Sequence, residues 1–289
     1  MSTTKGLEPI DVKPEKDDAR FWSVTTIIGA LDKPALVPWA AIKTAEAAVD
    51  DAETWQSRLE REGRDSAIDY LKQARFRTTK RGARSATELG TDVHAACEDY
   101  TLSGVRPEVD DEVRPFIEQF DRFLQEFQPV YQATEVTVYS PTYGYAGTCD
   151  GFLTIDGVRL IFDYKTSRDS YDKRGKPKGP YPEVALQLAA YRYAELAAVW
   201  QPRRFEQWRR RYYLLSDTER NVGVPVPEVD GGAVIYLTPE QYSVTPVRCD
   251  ESVHQQFLFV EEAARWAFQT SKDVLGMAMT PTHQIEATA

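Results

Sequence analysis

An Asp-Gly dipeptide at 156–157, set between alternating apolar runs at 147–155 and 158–165, constrains this chain more than any other feature. Asp-Gly favours a two-residue turn with positive φ at both positions, and that turn matches the twist of a β-hairpin. A two-residue turn also fixes the register. Ile155 then opposes Val158, and further down the ladder Asp150 opposes Asp163. Opposed residues share one face, with Cβ atoms about 4.5–5.5 Å apart. Lys165 lies two residues beyond Asp163 and emerges on that face too. The other face carries Leu153, Ile155, Val158, Leu160 and Phe162, and is assigned to the core.

Two facing carboxylates repel. Protonation of one, pairing with Lys165, or a cation between them relieves the strain. The residues alone leave two readings open. One is a structural Asp–Lys–Asp cluster. The other is a site for a hard divalent cation beside a phosphodiester.

The rest of the chain gives this hairpin its setting. Residues 1–20 are polar and charged and read as a disordered lead-in, and 271–289 read as a flexible tail. Between them, 21–270 is expected to form a single domain whose 21–128 part is helical. Helices are expected at 34–50 and 52–75. A third starts at the capping box Ser85-Ala86-Thr87-Glu88, runs to about 102 and stops at Gly104. Val113, Phe116, Ile117 and Phe120 recur at helical spacing within a fourth, at 109–127. Strands follow at 135–139, at the hairpin, and at 211–215, 233–237 and 243–247. Further helices are expected at 182–200 and 252–269. The order predicts a mixed α/β (α+β) fold with a helical N-terminal layer.

Three cysteines, Cys97, Cys149 and Cys249, fit neither a disulfide framework nor a Cys-x-x-Cys zinc site, so a reducing, cytoplasmic setting is expected. The first twenty residues hold no apolar run of the kind a secretory leader needs and no stretch approaches membrane length, so neither a leader nor a membrane span is expected. The formal net charge of −10 argues against tight, unspecific coating of nucleic acid. That charge is unevenly distributed: residues 71–84 carry six basic residues and no acid.

Around the hairpin, Gly147-Thr148-Cys149-Asp150-Gly151 and Phe162-Asp163-Tyr164-Lys165-Thr166-Ser167 resemble two motifs of the PD-(D/E)XK nuclease superfamily, in particular its RecB-like, phage-type exonuclease branch. Gly90-Thr91-Asp92-Val93-His94-Ala95-Ala96-Cys97-Glu98 resembles that branch's helix with a metal-binding histidine. Gln187-Leu188-Ala189-Ala190-Tyr191 resembles its Gln-x-x-x-Tyr motif. Ser23-Val24-Thr25-Thr26-Ile27-Ile28 resembles the opening of many phage-type members. The four motifs occur in the family's order, although Cys149 stands where the family name has proline.

The resemblance implies a central mixed β-sheet flanked by helices and a divalent-metal-dependent deoxyribonuclease, most simply an exonuclease in DNA recombination, repair or phage replication, the alternatives being a structure-specific or restriction-type endonuclease of the same fold and a catalytically silent DNA-binding or assembly protein. It implies Mg²⁺ or Mn²⁺ held by His94, Asp150, Asp163 and the backbone carbonyl of Tyr164, with Glu98 a weaker candidate. Lys165 would position the attacking water and offset charge. Gln187 and Tyr191 would flank the centre, and products would carry 5′-phosphates. DNA is the implied substrate, and a recombinase, annealing protein or helicase and a second copy of the chain are candidate partners. Three cysteines are too few for an all-cysteine iron–sulfur cluster. Glu135 opens a strand leading to the site and is a further weak candidate.

Basic side chains flank these motifs as DNA-backbone candidates. Arg77, Lys80, Arg81 and Arg84 precede the histidine helix. Arg168, Lys173, Arg174, Lys176 and Lys178 follow the hairpin, and a third run lies at 203–211. There is no Walker A loop, no His-Glu-x-x-His helix and no Gly-x-Ser-x-Gly elbow.

Overall fold

A computed structural model describes residues 19–31, 36–76, 84–172, 174–198, 203–204, 212–215 and 223–277. Residues 1–18 of the expected lead-in, and the tail beyond 277, lie outside these residues, whereas Ala19 and Arg20, expected in the lead-in, open a strand that pairs with two others. The described elements, in chain order, are β1 (Ala19–Ser23), α1 (Val24–Ile28), α2 (Leu36–Asp50), α3 (Ala52–Glu62), α4 (Arg64–Lys72), α5 (Ala86–Ser103) and α6 (Arg114–Phe127). Then come β2 (Val130–Ser140), β3 (Tyr145–Ile155), β4 (Val158–Thr166), α7 (Val184–Arg192) and β5 (Leu196–Ala197). The chain continues through β6 (Arg203–Arg204), β7 (Tyr212–Leu215), β8 (Val224–Pro225), β9 (Gly231–Leu237), β10 (Tyr242–Val247) and α8 (Glu251–Phe268). Among the described residues no helix is long and apolar enough to cross a membrane.

The fold is mixed α/β. Strands run in the order β10-β9-β4-β3-β1-β7-β6, with β2 pairing β3 and β5, and β8 pairing β5. β4 pairs with β9 and β1 with β3 in parallel, and the other pairings are antiparallel. The hairpin register is the one the turn dictates: Ile155 pairs with Val158 and Gly151 with Phe162. Asp156 and Gly157 have φ of 49° and 82°, as a turn positive at both positions requires.

Both faces of the hairpin are buried, where the sequence pattern assigned one. Leu153 and Phe162 join Leu89, Val93, Phe116 and Phe120 in a core under α5 and α6. Phe152 and Ile161, on the face of the two aspartates, join Leu188, Tyr191 and Phe257 in a core with α1, α7 and α8. Each large apolar side chain so buried contributes about 1.5–3 kcal/mol. A strand flanked by neighbours and covered on both faces has no solvent side. Val158, assigned to the core, is 46 % exposed because it leaves the turn at the closed end of the hairpin, away from the covering helices.

α5 begins and ends as its sequence indicates. Ser85 and Glu88 form the reciprocal capping box, and Gly104 closes the helix in the left-handed conformation. Two expected helices are shorter than their patterns. The 52–75 helix is broken at Gly63, whose φ of 91° interrupts the helical path between α3 and α4. The 182–200 helix ends at Arg192, and the chain turns into β5, which pairs with β2. α6 starts at Arg114, five residues later than expected, with proline in its first turn.

Candidate active site

Four elements converge on one end of the hairpin. β3 presents Asp150, β4 presents Asp163 and Lys165, α5 presents His94, and α7 presents Gln187. Asp150 is drawn across the ladder by the backbone N–H of Tyr164, which donates to its Oδ2 at 2.5 Å. His94 Nδ1 stands 3.6 Å from the same oxygen, with its ring edge-on to Tyr164. Gln187 Nε2 donates to Asp163 Oδ1 at 2.9 Å. The Lys165 ammonium lies against Asp163 Oδ2 as an ion pair. That ammonium is the partner of a buried oxygen to which no other group donates among the described residues.

The glycines of the Gly147–Gly151 segment make this approach possible. A Cβ on Gly147 would fall 2.5 Å from the ring of Tyr191. Gly151 has φ of 147°, and a Cβ there would fall 2.1 Å from the carbonyl oxygen of Ala133 on β2. Side chains at these two positions would push apart the layers that hold Asp150 between them.

Exposure is graded across the site. Lys165 is 37 % exposed, His94 28 %, Asp150 12 % and Asp163 3 %. The lysine end is therefore the open end. Burial pushes the Asp150 carboxyl well above the usual carboxylate range, Asp163 pushes it further, and the Tyr164 N–H and Lys165 oppose them. Burial also pushes the His94 imidazole down, favouring the neutral ring. A carboxyl whose folded pKa exceeds its unfolded value of about 3.9 holds a proton that the unfolded chain has lost. Stability then falls as pH rises above that value. In chelator, Asp150→Asn is thus expected to raise thermal stability at about pH 8 more than at about pH 5. Melting curves across pH check this, and parallel curves for the two proteins would contradict it.

The structure places the other candidates unevenly. Tyr191 is buried against Gly147, with its hydroxyl 3.4 Å from Gln187 Nε2. It steadies Gln187 from the buried side of α7. Glu98 lies one turn beyond His94 on α5. Burial and Asp99 raise its carboxyl, and no contact with Asp150 or Asp163 is described. Among the described residues no three His, Cys, Asp or Glu side chains already converge on one point as a metal cage. Glu135 lies on β2 at the step between the Thr134–Gly151 and Val136–Cys149 pairs.

The basic candidates divide. Arg77, Lys80, Arg81 and Lys173 lie outside the described residues, as do Arg209, Arg210 and Arg211. Arg84 binds Asp110 at 2.8 Å and 2.5 Å, and also pairs with Asp92 and Glu112. Arg168 donates to the Arg84 carbonyl at 2.6 Å and pairs with Glu112. Lys178 pairs with Asp169. These three are therefore already engaged by carboxylates, unlike the free cations a charge count implies. Arg174 and Lys176 are exposed.

This fold and site define a mixed α/β protein with a buried carboxylate pair and a lysine on one hairpin. No family model matches the chain. No curated protein matches it. Among solved structures it is similar to the crystal structure of SSO0001, with 13% sequence identity over 90% of this chain and 81% of that chain, at a TM-score of 0.35. A likeness at that level carries no argument about function.

Proposed function

We propose that this chain is a divalent-metal-dependent DNA nuclease of the RecB-like PD-(D/E)XK type, acting as an exonuclease. One observation carries the reading. Asp150 and Asp163 face each other on the hairpin with Lys165 at the open end, His94 beside the first acid and Gln187 on the second. Four motifs that resemble one family supply those residues from three separate stretches of sequence.

The donor set fits a hard or borderline cation. Two carboxylates, an imidazole kept neutral by burial and the Tyr164 carbonyl are oxygen and nitrogen donors suited to Mg²⁺ or Mn²⁺. The buried Asp163 carboxylate carries Gln187 on Oδ1 and the Lys165 ammonium on Oδ2, so the donor set comes together beside a cationic group. When bound, the ion supplies charge for the scissile phosphate and makes its water more acidic. The chain's own groups do the rest. Gln187 fixes the rotation of the Asp163 carboxylate. Lys165 places its ammonium where solvent and a phosphate can reach it, orients the attacking water and offsets negative charge as the phosphate accepts the nucleophile. Arg174 and Lys176 are the exposed cations on the loop after the hairpin for the DNA backbone.

End-labelled linear DNA and covalently closed circles, incubated with Mn²⁺ or Mg²⁺, test the mode. Progressive shortening of linear DNA with closed circles intact is expected. Efficient cutting of circles would replace the exonuclease with an endonuclease of the same chemistry.

A further inference from the structure

The chain leaves the sheet at Thr166, one residue after Lys165, and re-enters the core at α7, which carries Gln187. Both ends of the intervening 167–183 segment are thus tied to groups of the site. Its root lies beside α5: a Cβ on Gly90, one turn before His94, would stand 3.3 Å from Thr166 Oγ1. The segment is held on two sides. Arg168 donates to the Arg84 carbonyl and pairs with Glu112. The buried Ser170 donates from Oγ to Thr238 Oγ1 at 3.0 Å, and Gln241 Nε2 donates to the Ser170 carbonyl at 3.0 Å.

Beyond these anchors the chain folds back on itself. The Lys178 N–H donates to the Ser170 carbonyl, the Asp172 N–H donates to the Lys176 carbonyl, and Tyr171 bridges Pro177 in antiparallel fashion. The Asp172 carboxylate accepts from the backbone N–H groups of Arg174 and Lys176 at 2.8 Å and 2.9 Å, and Gly175 supplies a positive φ of 74°. This braced ribbon keeps two large rings in water: Tyr171 is 46 % exposed and Tyr181, four residues past the bridge, 73 %. Arg174 and Lys176 are exposed with them, and among the described residues neither pairs with a carboxylate. Over 168–182 the sequence holds five basic residues against two acids, a balance that favours phosphate.

We propose that the 168–182 loop is a single-strand-binding element of the site, in which Tyr171 and Tyr181 stack on unpaired bases while Arg174 and Lys176 hold the backbone phosphates. The inference rests on the nuclease reading for its ligand and goes beyond it in assigning the form of the strand. Bases in a duplex are stacked on one another and paired, so a tyrosine ring finds a free base face only on an unpaired strand. Such stacking tolerates any base, because each has a π-face, and suits an enzyme that moves along a strand. Tyrosine has only two side-chain torsions, so a ring carried on a braced backbone loses little freedom when it stacks.

Fluorescence anisotropy of the full chain in chelator tests it, with labelled probes of equal length: a thymidine single strand, an abasic strand of the same charge, and a duplex. The wild type is expected to bind the thymidine strand about 5- to 100-fold more tightly than the abasic strand. Replacing both rings, Tyr171→Ala with Tyr181→Ala, is expected to remove that preference and leave binding of the abasic strand, binding of the duplex and the melting temperature unchanged. Tyr181→Phe keeps a stacking ring and is expected to keep the preference. Lys176→Ala is expected to weaken both strands alike and to lower the salt slope by about 1. Equal binding of the two strands by the wild type, binding of neither, or a preference that survives the loss of both rings overturns the inference; the first is the result expected if the rings serve a protein partner instead. A wild type that cuts DNA with no base preference in binding overturns this inference alone. Base-dependent binding without hydrolysis in Mn²⁺ or Mg²⁺ supports it and overturns the nuclease reading alone.

Discussion

Lys165→Ala is expected to lower Mn²⁺- or Mg²⁺-dependent DNA hydrolysis by roughly 10²- to 10³-fold, the loss found when one preorganised electrostatic group is removed from an active site. The side chain is 37 % exposed and contributes little packing, so the fold should survive its truncation. What goes is the ammonium that lies against Asp163 and faces the open end of the site. Lys165→Arg keeps the charge but replaces a compact ammonium by a wide planar fork, and is expected to restore only part of the rate. Rates on end-labelled DNA, with circular dichroism confirming the fold, provide the check. Activity equal to wild type in Lys165→Ala would remove the lysine from the chemistry.

Gly151→Ala is expected to have the largest effect on stability. The added Cβ would sit 2.1 Å from the Ala133 carbonyl oxygen and 3.0 Å from the Phe162 ring, at a φ of 147°. The first clash is with backbone of the neighbouring strand, so no rotamer change relieves it. A clash in a buried ladder with disallowed φ belongs among the substitutions that cost about 4 kcal/mol or more. Against a total stability of about 5–15 kcal/mol, that leaves a marginal protein. Gly63→Ala is the control. It also has positive φ, but nothing lies within 4 Å of its Cβ, so only the backbone cost of about 1–3 kcal/mol applies. Denaturant midpoints measure both, and equal midpoints for the two variants would contradict the packing argument.

Local chemistry made much of this legible in sequence. The turn residues Asp156 and Gly157 fixed the hairpin register, and with it the meeting of Asp150, Asp163 and Lys165. Ser85 and Glu88 marked the start of α5, and so the placement of His94. Helical spacing joined Gln187 to Tyr191. Features that depend on distant partners were hidden. Arg84 looked free until Asp92, Asp110 and Glu112 came to it from other elements. The second buried face of the hairpin depends on α7 and α8 covering Phe152 and Ile161. β1 and α1 were not marked out because their short stretches carry no period of their own, and β1 is defined by its pairing with β3 and β7. The left-handed Glu135 contradicts its own residue preference, so no local rule could have indicated it.

The central claim is that this carboxylate pair and lysine cut DNA with a divalent ion. The most direct measurement incubates purified wild-type protein with end-labelled linear DNA in Mn²⁺, in Mg²⁺ and in chelator, with Asp150→Ala alongside. The account predicts shortening of the DNA with either ion, none in chelator and none with Asp150→Ala. Intact DNA under every condition, or equal cutting by wild type and Asp150→Ala, would contradict it.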